Sequence, residues 1–555
     1  LLLALGAMLR WSHLAGDPAA VATNGPLIDD SYYYFGIARN IVAGLGVTHD
    51  GIHPTAGFHP VWMAMLVPVF AIFQGDLYLP VVAALHVQVI LAIVTGWLLY
   101  RVARSLAGPT GAVFPVMLWA VAPPFVLESM NGLETVLACA ALIGAIWLHI
   151  SRVVSLEGLP SLRSAIAVGA FYGFMVLCRL DLGIAVAVLG AHWTLMAARR
   201  LSGRDGQGAL ALRRLAAAGL AGMVILGPWL AFVHHQTGGW LPESGVATRT
   251  VALAYGTRPG KARTEYVDMK RPPPHFYAQQ GLATVREVLT RPAWWPVSAV
   301  TTSLRELFRF PRTSHGMAAL GGVLALAWFG WRIRQRRRLH AGATGPADAA
   351  GPATALGPLV IAISAATMAA YSLYVFGSWW FPRYYTPLLL LWALYSARPV
   401  QRTVEAVAMR TSVAKARLIA ALFGSIVLAW AVGGREARMG ILNPTLPYWQ
   451  AARIAQSHLP PSASLGAFQS GTLAYAMDRP VVNLDGVVNV QAFKAIRDGR
   501  VLEYAVEEGI DCIMDWPHVI EALLVRRSEP LPGVRLRLIA HGAMDLYCME
   551  RNGTQ

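Results

Sequence analysis

Residues 79–100 read LPVVAALHVQVILAIVTGWLLY and run directly into Arg101 and Arg104. An unbroken apolar run of this length spans, as a helix, the roughly 30 Å hydrocarbon core of a bilayer. The stretch is one of a series. Apolar segments of similar length recur from the N-terminus to about residue 434, each bounded by Arg, Pro or Gly. The composition agrees: 55% of residues are hydrophobic and 14% charged, against roughly a quarter charged in an ordinary soluble domain. From residue 435 the pattern changes to shorter apolar runs, turn signals and mixed charge, as in a water-soluble α/β domain. The sequence therefore predicts a polytopic α-helical membrane domain, 1–434, with large outer loops at 13–78 and 236–314, followed by a soluble α/β domain, 435–555.

The net charge of +16 does not form one basic patch with interleaved aromatics, which excludes nucleic acid as the expected partner. The arginines lie in short loops between apolar segments: Arg101 and Arg104, Arg152 and Arg163, Arg199 to Arg214, and the groups within 332–338 and 398–417. Under the positive-inside rule these loops are cytoplasmic. Holding them inside predicts about eleven spans, near 1–14, 79–100, 109–126, 133–150, 164–179, 182–198, 215–235, 316–332, 355–376, 386–399 and 416–434. The first is read as truncated, because the chain opens inside an apolar run without Met. Residues 60–73 are too short to span and read as a re-entrant or interfacial helix. The path describes a multi-pass protein of the plasma or inner membrane whose C-terminal domain is extracytoplasmic. Cys512 and Cys548 of that domain can pair if the compartment is oxidising.

Sidedness is where function first shows. Asp29, Asp30, Glu128, Glu134, Arg179, Asp181, His234, His235, Glu243 and Arg383, far apart in sequence, all fall at or beyond the outer ends of spans. Ionisable groups beside a bilayer core are costly, so each is a functional candidate.

The first outer loop carries Asp29 and Asp30 at the start of an expected amphipathic helix on the membrane, with Asp30 or Ser31 as N-cap and Gly44 as C-cap. Paired carboxylates in such a place serve as a general base, as metal ligands, or only as caps. Further along, His53 and His59 do not have zinc spacing and suit hydrogen bonds to sugar or phosphate. Trp62 suits a sugar face or interface anchoring. A divalent cation, Mg2+ or Mn2+, would have only Asp29, Asp30 and Glu243 as oxygen ligands, a thin set; no cofactor is assigned. The loop 236–314, with Arg249, Arg258, Lys261, Lys270 and Trp294-Trp295, reads as a cover over an anionic lipid or as a solvated loop. Residues 483–489, Asn-Leu-Asp-Gly-Val-Val-Asn, read as a structural turn or a sugar contact.

Five segments taken in order resemble GT-C-type glycosyltransferases: the Asp29-Asp30 pair, Asn131-Gly132-Leu133-Glu134-Thr135, Cys178-Arg179-Leu180-Asp181, Leu241-Pro242-Glu243-Ser244, and Phe381-Pro382-Arg383-Tyr384-Tyr385. The chain is similar to bacterial arabinofuranosyl- and mannosyltransferases and to protein mannosyltransferases. It departs from the pattern at Leu180, where the family has proline, and at Glu243, where an amide is usual. The resemblance implies inverting transfer from a polyprenyl-phosphate sugar to a glycan, glycolipid or protein acceptor. Asp29 would be the base and Asp30 its support. Arg383 and Arg179 would meet the phosphate, with His234, His235 and Tyr384 assisting. His53, His59, Trp62, Glu128, Glu134, Asp181, Glu243 and Ser244 would support or contact the acceptor. A multipass transporter or flippase and a non-catalytic glycan-binding scaffold are the competing readings; no internal repeat supports the transporter.

Overall fold

A computed structural model describes residues 1–154, 159–201, 207–248, 352–374, 382–410, 445–525 and 531–551. The expected spans 316–332 and 416–434, the basic group 332–338 and the cover loop beyond residue 248 lie outside the described residues.

The membrane body is helical. Leu2–Trp11 (α1) is followed by Pro18–Asn24 (α2), Asp29–Val42 (α3), Pro60–Ile72 (α4) and the long Leu79–Val121 (α5). Next come Pro123–Glu128 (α6), Thr135–Leu148 (α7), Leu162–Cys178 (α8), Gly183–Leu201 (α9), Gly208–Thr237 (α10), Pro352–Tyr374 (α11) and Pro382–Arg410 (α12). Among the described residues, Leu79–Val121, Thr135–Val154, Leu180–Leu201 and Gly208–Thr237 are long and apolar enough to cross a membrane, and four shorter apolar helices accompany them. The protein is membrane-embedded.

The expected spans 79–100 and 109–126 merge into α5 through a kink at Gly108, whose φ of 80° only glycine adopts readily. Pro109 follows it and cannot donate to the preceding turn. Helices α8 and α10 approach closely because Gly169 and Gly173 face Ala218 and Gly222. A Cβ on Gly169 would lie 1.9 Å from the Ala218 carbonyl oxygen. Small residues at a four-residue spacing let helices pack where lipid offers no hydrophobic drive.

The C-terminal region begins with Leu446–His458 (α13) and holds a five-stranded sheet. Its strands are Leu465–Ala467 (β1), Val481–Asn483 (β2), Cys512–Asp515 (β3), Val534–Ala540 (β4) and Asp545–Arg551 (β5), in the order β2-β1-β3-β5-β4. β1 runs parallel to β2 and β3, while β5 is antiparallel to β3 and β4. Gly471–Ala476 (α14), Val490–Asp498 (α15) and Val501–Glu507 (α16) pack beside it. Cys512 and Cys548 sit opposite each other on β3 and β5 and form a disulfide.

Helix α3 corrects one expectation. It does not lie on a membrane surface: Tyr32, Phe35, Ile37 and Ala38 are fully buried, because α3 is held between the helical body and the C-terminal region. Tyr32 packs edge-on against Phe35 and Trp449 and tilts against Tyr475. The N-cap is Ile28 rather than Asp30 or Ser31, so the two aspartates stand in the first turn without capping it.

Candidate functional site

Where α3 meets α4, α7, α8, α11 and α12, the helix ends enclose a cavity of about 390 Å³. Local sequence explains how each wall is set. The turn before α7 depends on Gly132, at φ 81°, where a Cβ would collide with Ser31 at 2.4 Å. Asn131 Oδ1 accepts the Leu133 N–H at 3.0 Å, and Gln88 holds both the Gly132 N–H and the Leu133 carbonyl. That clamp delivers Glu134 to the cavity. At the end of α8, Arg179 leaves the helix with extended backbone (φ −164°, ψ 123°), turning its side chain across the opening.

Arg179 is the hub. Its Nη2 lies 2.9 Å from Asp181 Oδ2, its Nε 3.7 Å from Glu134 Oε1, and its Nη1 donates to the Arg383 carbonyl at 2.7 Å. Arg383 Nη2 in turn donates to Asp30 Oδ2 at 2.5 Å. Both guanidinium groups stand over the Tyr384 ring, at 5.4 and 5.1 Å, a placement that favours cations. The Tyr371 hydroxyl donates to Asp181. Several buried polar atoms here have no hydrogen-bond partner among the described residues, including Glu134 Oε2, Asp181 Oδ1 and His59 Nδ1. Native interiors rarely leave such groups unsatisfied, and where they do a ligand is one explanation.

Of the residues singled out in the sequence, Asp30, His59, Glu134, Arg179, Asp181, Ser244, Arg383 and Tyr384 line the cavity together. Glu243 stands behind the wall, where its Oε1 accepts from Thr55 Oγ1 and from the Ala56 N–H at 2.8 Å. It shapes the Gly57-Phe58 stretch that does line the space. Burial comes first in raising the Glu243 pKa above its ordinary value.

Others fall elsewhere. Asp29 does not line the cavity; its Oδ1 accepts the Thr472 N–H at 2.7 Å, and burial pushes its carboxyl up to about 8 against the pull of that bond. His53 is paired with Asp50 at 2.7 Å and with Glu508 at 3.3 Å. Trp62 is fully buried and donates to the Gly132 carbonyl, so it neither anchors at an interface nor faces a ligand. Glu128 Oε2 accepts from Asn131. His234 and His235 are exposed at the end of α10, His234 stacked on Trp240. Asp29, Asp30 and Glu243 are each engaged with a separate partner. Among the described residues, no three His, Cys, Asp or Glu side chains gather as a metal site.

Sequence reasoning overlooked Tyr33 and Tyr371, which line the cavity, whereas Val487 and Val488, which line it too, lie in the 483–489 segment read as a structural turn or a sugar contact. The Tyr32-Tyr33-Tyr34 run was a usable signal, because successive helical residues turn to different faces. Tyr371 lies in an apolar span and has no local mark.

Residues 57–229 match the model of the dolichyl-phosphate-mannose-protein mannosyltransferase family, and residues 435–545 match a domain of unknown function. No curated protein compared with the chain matches it. Among solved structures, the chain is similar to ArnT from Cupriavidus metallidurans bound to undecaprenyl phosphate, at 13% identity and TM-score 0.53, covering 100% of this chain and 98% of that one. It is also similar to the Archaeoglobus fulgidus oligosaccharyltransferase in the apo form, at 14% identity and TM-score 0.50, covering 96% of this chain and 72% of that one. Likeness at these identities establishes a shared fold.

Proposed function

We propose that the chain is a GT-C-type membrane glycosyltransferase that transfers a sugar, of arabinofuranosyl or mannosyl type, from a polyprenyl-phosphate donor to a cell-envelope acceptor on the extracytoplasmic face. The observation that carries this reading is the contact of Asp30 with Arg383 on the wall of a cavity that Arg179 also lines. The undecaprenyl phosphate in the similar ArnT structure supports the donor class. The disulfide of the C-terminal domain supports an oxidising, extracytoplasmic compartment.

The reaction follows from where charge moves. An acceptor hydroxyl attacks the anomeric carbon, the bond from that carbon to the phosphate oxygen breaks, and the hydroxyl proton passes to Asp30. Negative charge thus leaves Asp30 as it builds on the departing polyprenyl phosphate. Arg383, bonded to Asp30 before the reaction, loosens its hold as that carboxylate is neutralised and strengthens its hold on the phosphate. Arg179 adds a second fork-shaped donor that matches phosphate oxygens. Both cations act more strongly on the transition state than on the bound donor, which is what accelerates the step. Asp30, rather than Asp29, is the base in this reading, because Asp30 lines the cavity.

The test uses purified protein in detergent with polyprenyl-phosphate mannose or arabinose and an envelope acceptor. Asp30→Asn is expected to lower turnover by about 10²- to 10⁴-fold while retaining undecaprenyl phosphate binding. Equal turnover in the variant and the wild type would remove Asp30 from the chemistry.

A further inference from the structure

Adjacent residues on α3 point to two different parts of the molecule. Asp30 reaches Arg383 at the cavity, whereas Asp29 reaches Thr472, the second residue of α14 in the C-terminal domain. We propose that Asp29 is a positioning residue, gripped by the Thr472 N–H so that the C-terminal domain holds Asp30 in place, which makes this domain of unknown function a working part of the transferase. The inference rests on the glycosyltransferase reading above.

The grip has depth. One turn further along α3, the Tyr33 hydroxyl accepts the Ser470 N–H at 3.1 Å and donates to the Phe468 carbonyl at 3.4 Å. Arg39 donates to the Tyr475 carbonyl at 3.0 Å, with its guanidinium 4.5 Å from the centre of the Tyr475 ring. The segment that receives these contacts is itself fixed from behind: Asp515, fully buried, accepts the Phe468 and Gln469 N–H groups, each at 2.8 Å. At the centre, α3 and α14 touch backbone to backbone. A Cβ on Gly471 would lie 2.4 Å from the Asp29 carbonyl oxygen and 3.1 Å from its Oδ1, so only glycine permits the approach. The sheet of the C-terminal domain thus sets the height and rotation of the first turn of α3, and Asp30 stands in that turn.

Asparagine separates positioning from proton transfer. Its Oδ1 accepts the Thr472 N–H as a carboxylate does, but an amide cannot take a proton from a hydroxyl. Asp29→Asn is expected to keep kcat within about threefold of wild type. Asp29→Ala and Gly471→Ala, which release or push α3, are expected to lower kcat by about a hundredfold, the cost of displacing a reacting group by an ångström, with donor KM within about twofold. Hydrogen exchange on the same proteins reads the grip without activity: amides of 29–42 exchange faster in Asp29→Ala than in wild type and Asp29→Asn. A loss in Asp29→Asn as deep as in Asp30→Asn, with unchanged exchange, would make Asp29 the base and overturn the inference. So would unchanged exchange and unchanged kcat in Asp29→Ala and Gly471→Ala. Absence of sugar transfer by wild type, with exchange still accelerated in Asp29→Ala, would overturn the transferase mechanism and leave the grip established.

Discussion

Two regions of the membrane body bury guanidinium groups, and they satisfy them differently. Arg10, 1% exposed, donates from Nε to Ser129 Oγ and from its two terminal nitrogens to the carbonyls of Gly6, Ala120, Trp119 and Phe125, at 2.8 to 3.2 Å. Two of those carbonyls belong to the last turn of α5, where helical C=O groups lack partners and a cation is favoured. Every donor group of Arg10 ends on a neutral acceptor within the fold. Arg179 and Arg383 instead meet Asp181, Glu134 and Asp30 beside open space. A guanidinium held by carbonyls is a fixed structural part, whereas one shared among carboxylates can exchange a partner for a phosphate as charge shifts. The His149 cluster repeats the first case. Its Nδ1 pairs with the Tyr172 hydroxyl at 2.7 Å and its Nε2 with His192 at 2.9 Å, linking α7, α8 and α9 with both ring nitrogens engaged.

The sharpest challenge to this contrast exchanges its terms. Arg383→Ala is expected to lower kcat by about 10²- to 10³-fold with little change in thermal stability, measured by turnover and by unfolding in detergent. Arg10→Met is expected to do the reverse. It strands buried carbonyls at about 1–3 kcal/mol each, lowering the melting temperature while the protein that remains folded keeps its kcat. A drop in kcat for folded Arg10→Met, or none for Arg383→Ala, would break the comparison. Reducing Cys512–Cys548 tests the C-terminal scaffold behind α3. A loss of about 2–4 kcal/mol is expected, seen as a lower melting temperature with dithiothreitol and absent in a Cys512→Ala, Cys548→Ala double variant.

The smallest effect concerns the second link between the first outer loop and the C-terminal domain. The hydrogen bond that His53 donates to Asp50 raises the His53 pKa above its ordinary value, burial opposes that, and Glu508 adds to it. A histidine whose folded pKa is raised contributes stability that is fully present below about pH 6.5 and is lost as pH rises through the folded value. The melting temperature is therefore expected to fall by at most about 2 °C on going from pH 6 to pH 8, and His53→Gln should flatten that dependence. An unchanged slope in the variant would remove His53 from the link.

Much of this was readable from residue order. The length and spacing of apolar runs, with arginines between them, determine the helical body, because a bilayer accepts only helices whose backbone groups are satisfied internally. Turn signals and shorter apolar runs marked the region after residue 435 as α/β, and a five-stranded sheet with helices beside it lies there. The placement of Glu134, Arg179, Asp181 and Arg383 at helix ends expected to share one side anticipated that they would come together, and they line one cavity. Local sequence could not tell Asp29 from Asp30. Both are first-turn aspartates on one helix, and their difference lies in what faces each of them, Thr472 and Arg383, more than 350 positions away. The same limit left residues 483–489 open between a structural turn and a sugar contact, since a turn has no local mark of the wall it will become, and Val487 and Val488 line the cavity. Sequence periodicity determines which residues share a face of their own element; which foreign element covers that face is decided only when long-range packing brings the pieces together, and here that packing set Asp29 against Thr472 and Asp30 against Arg383.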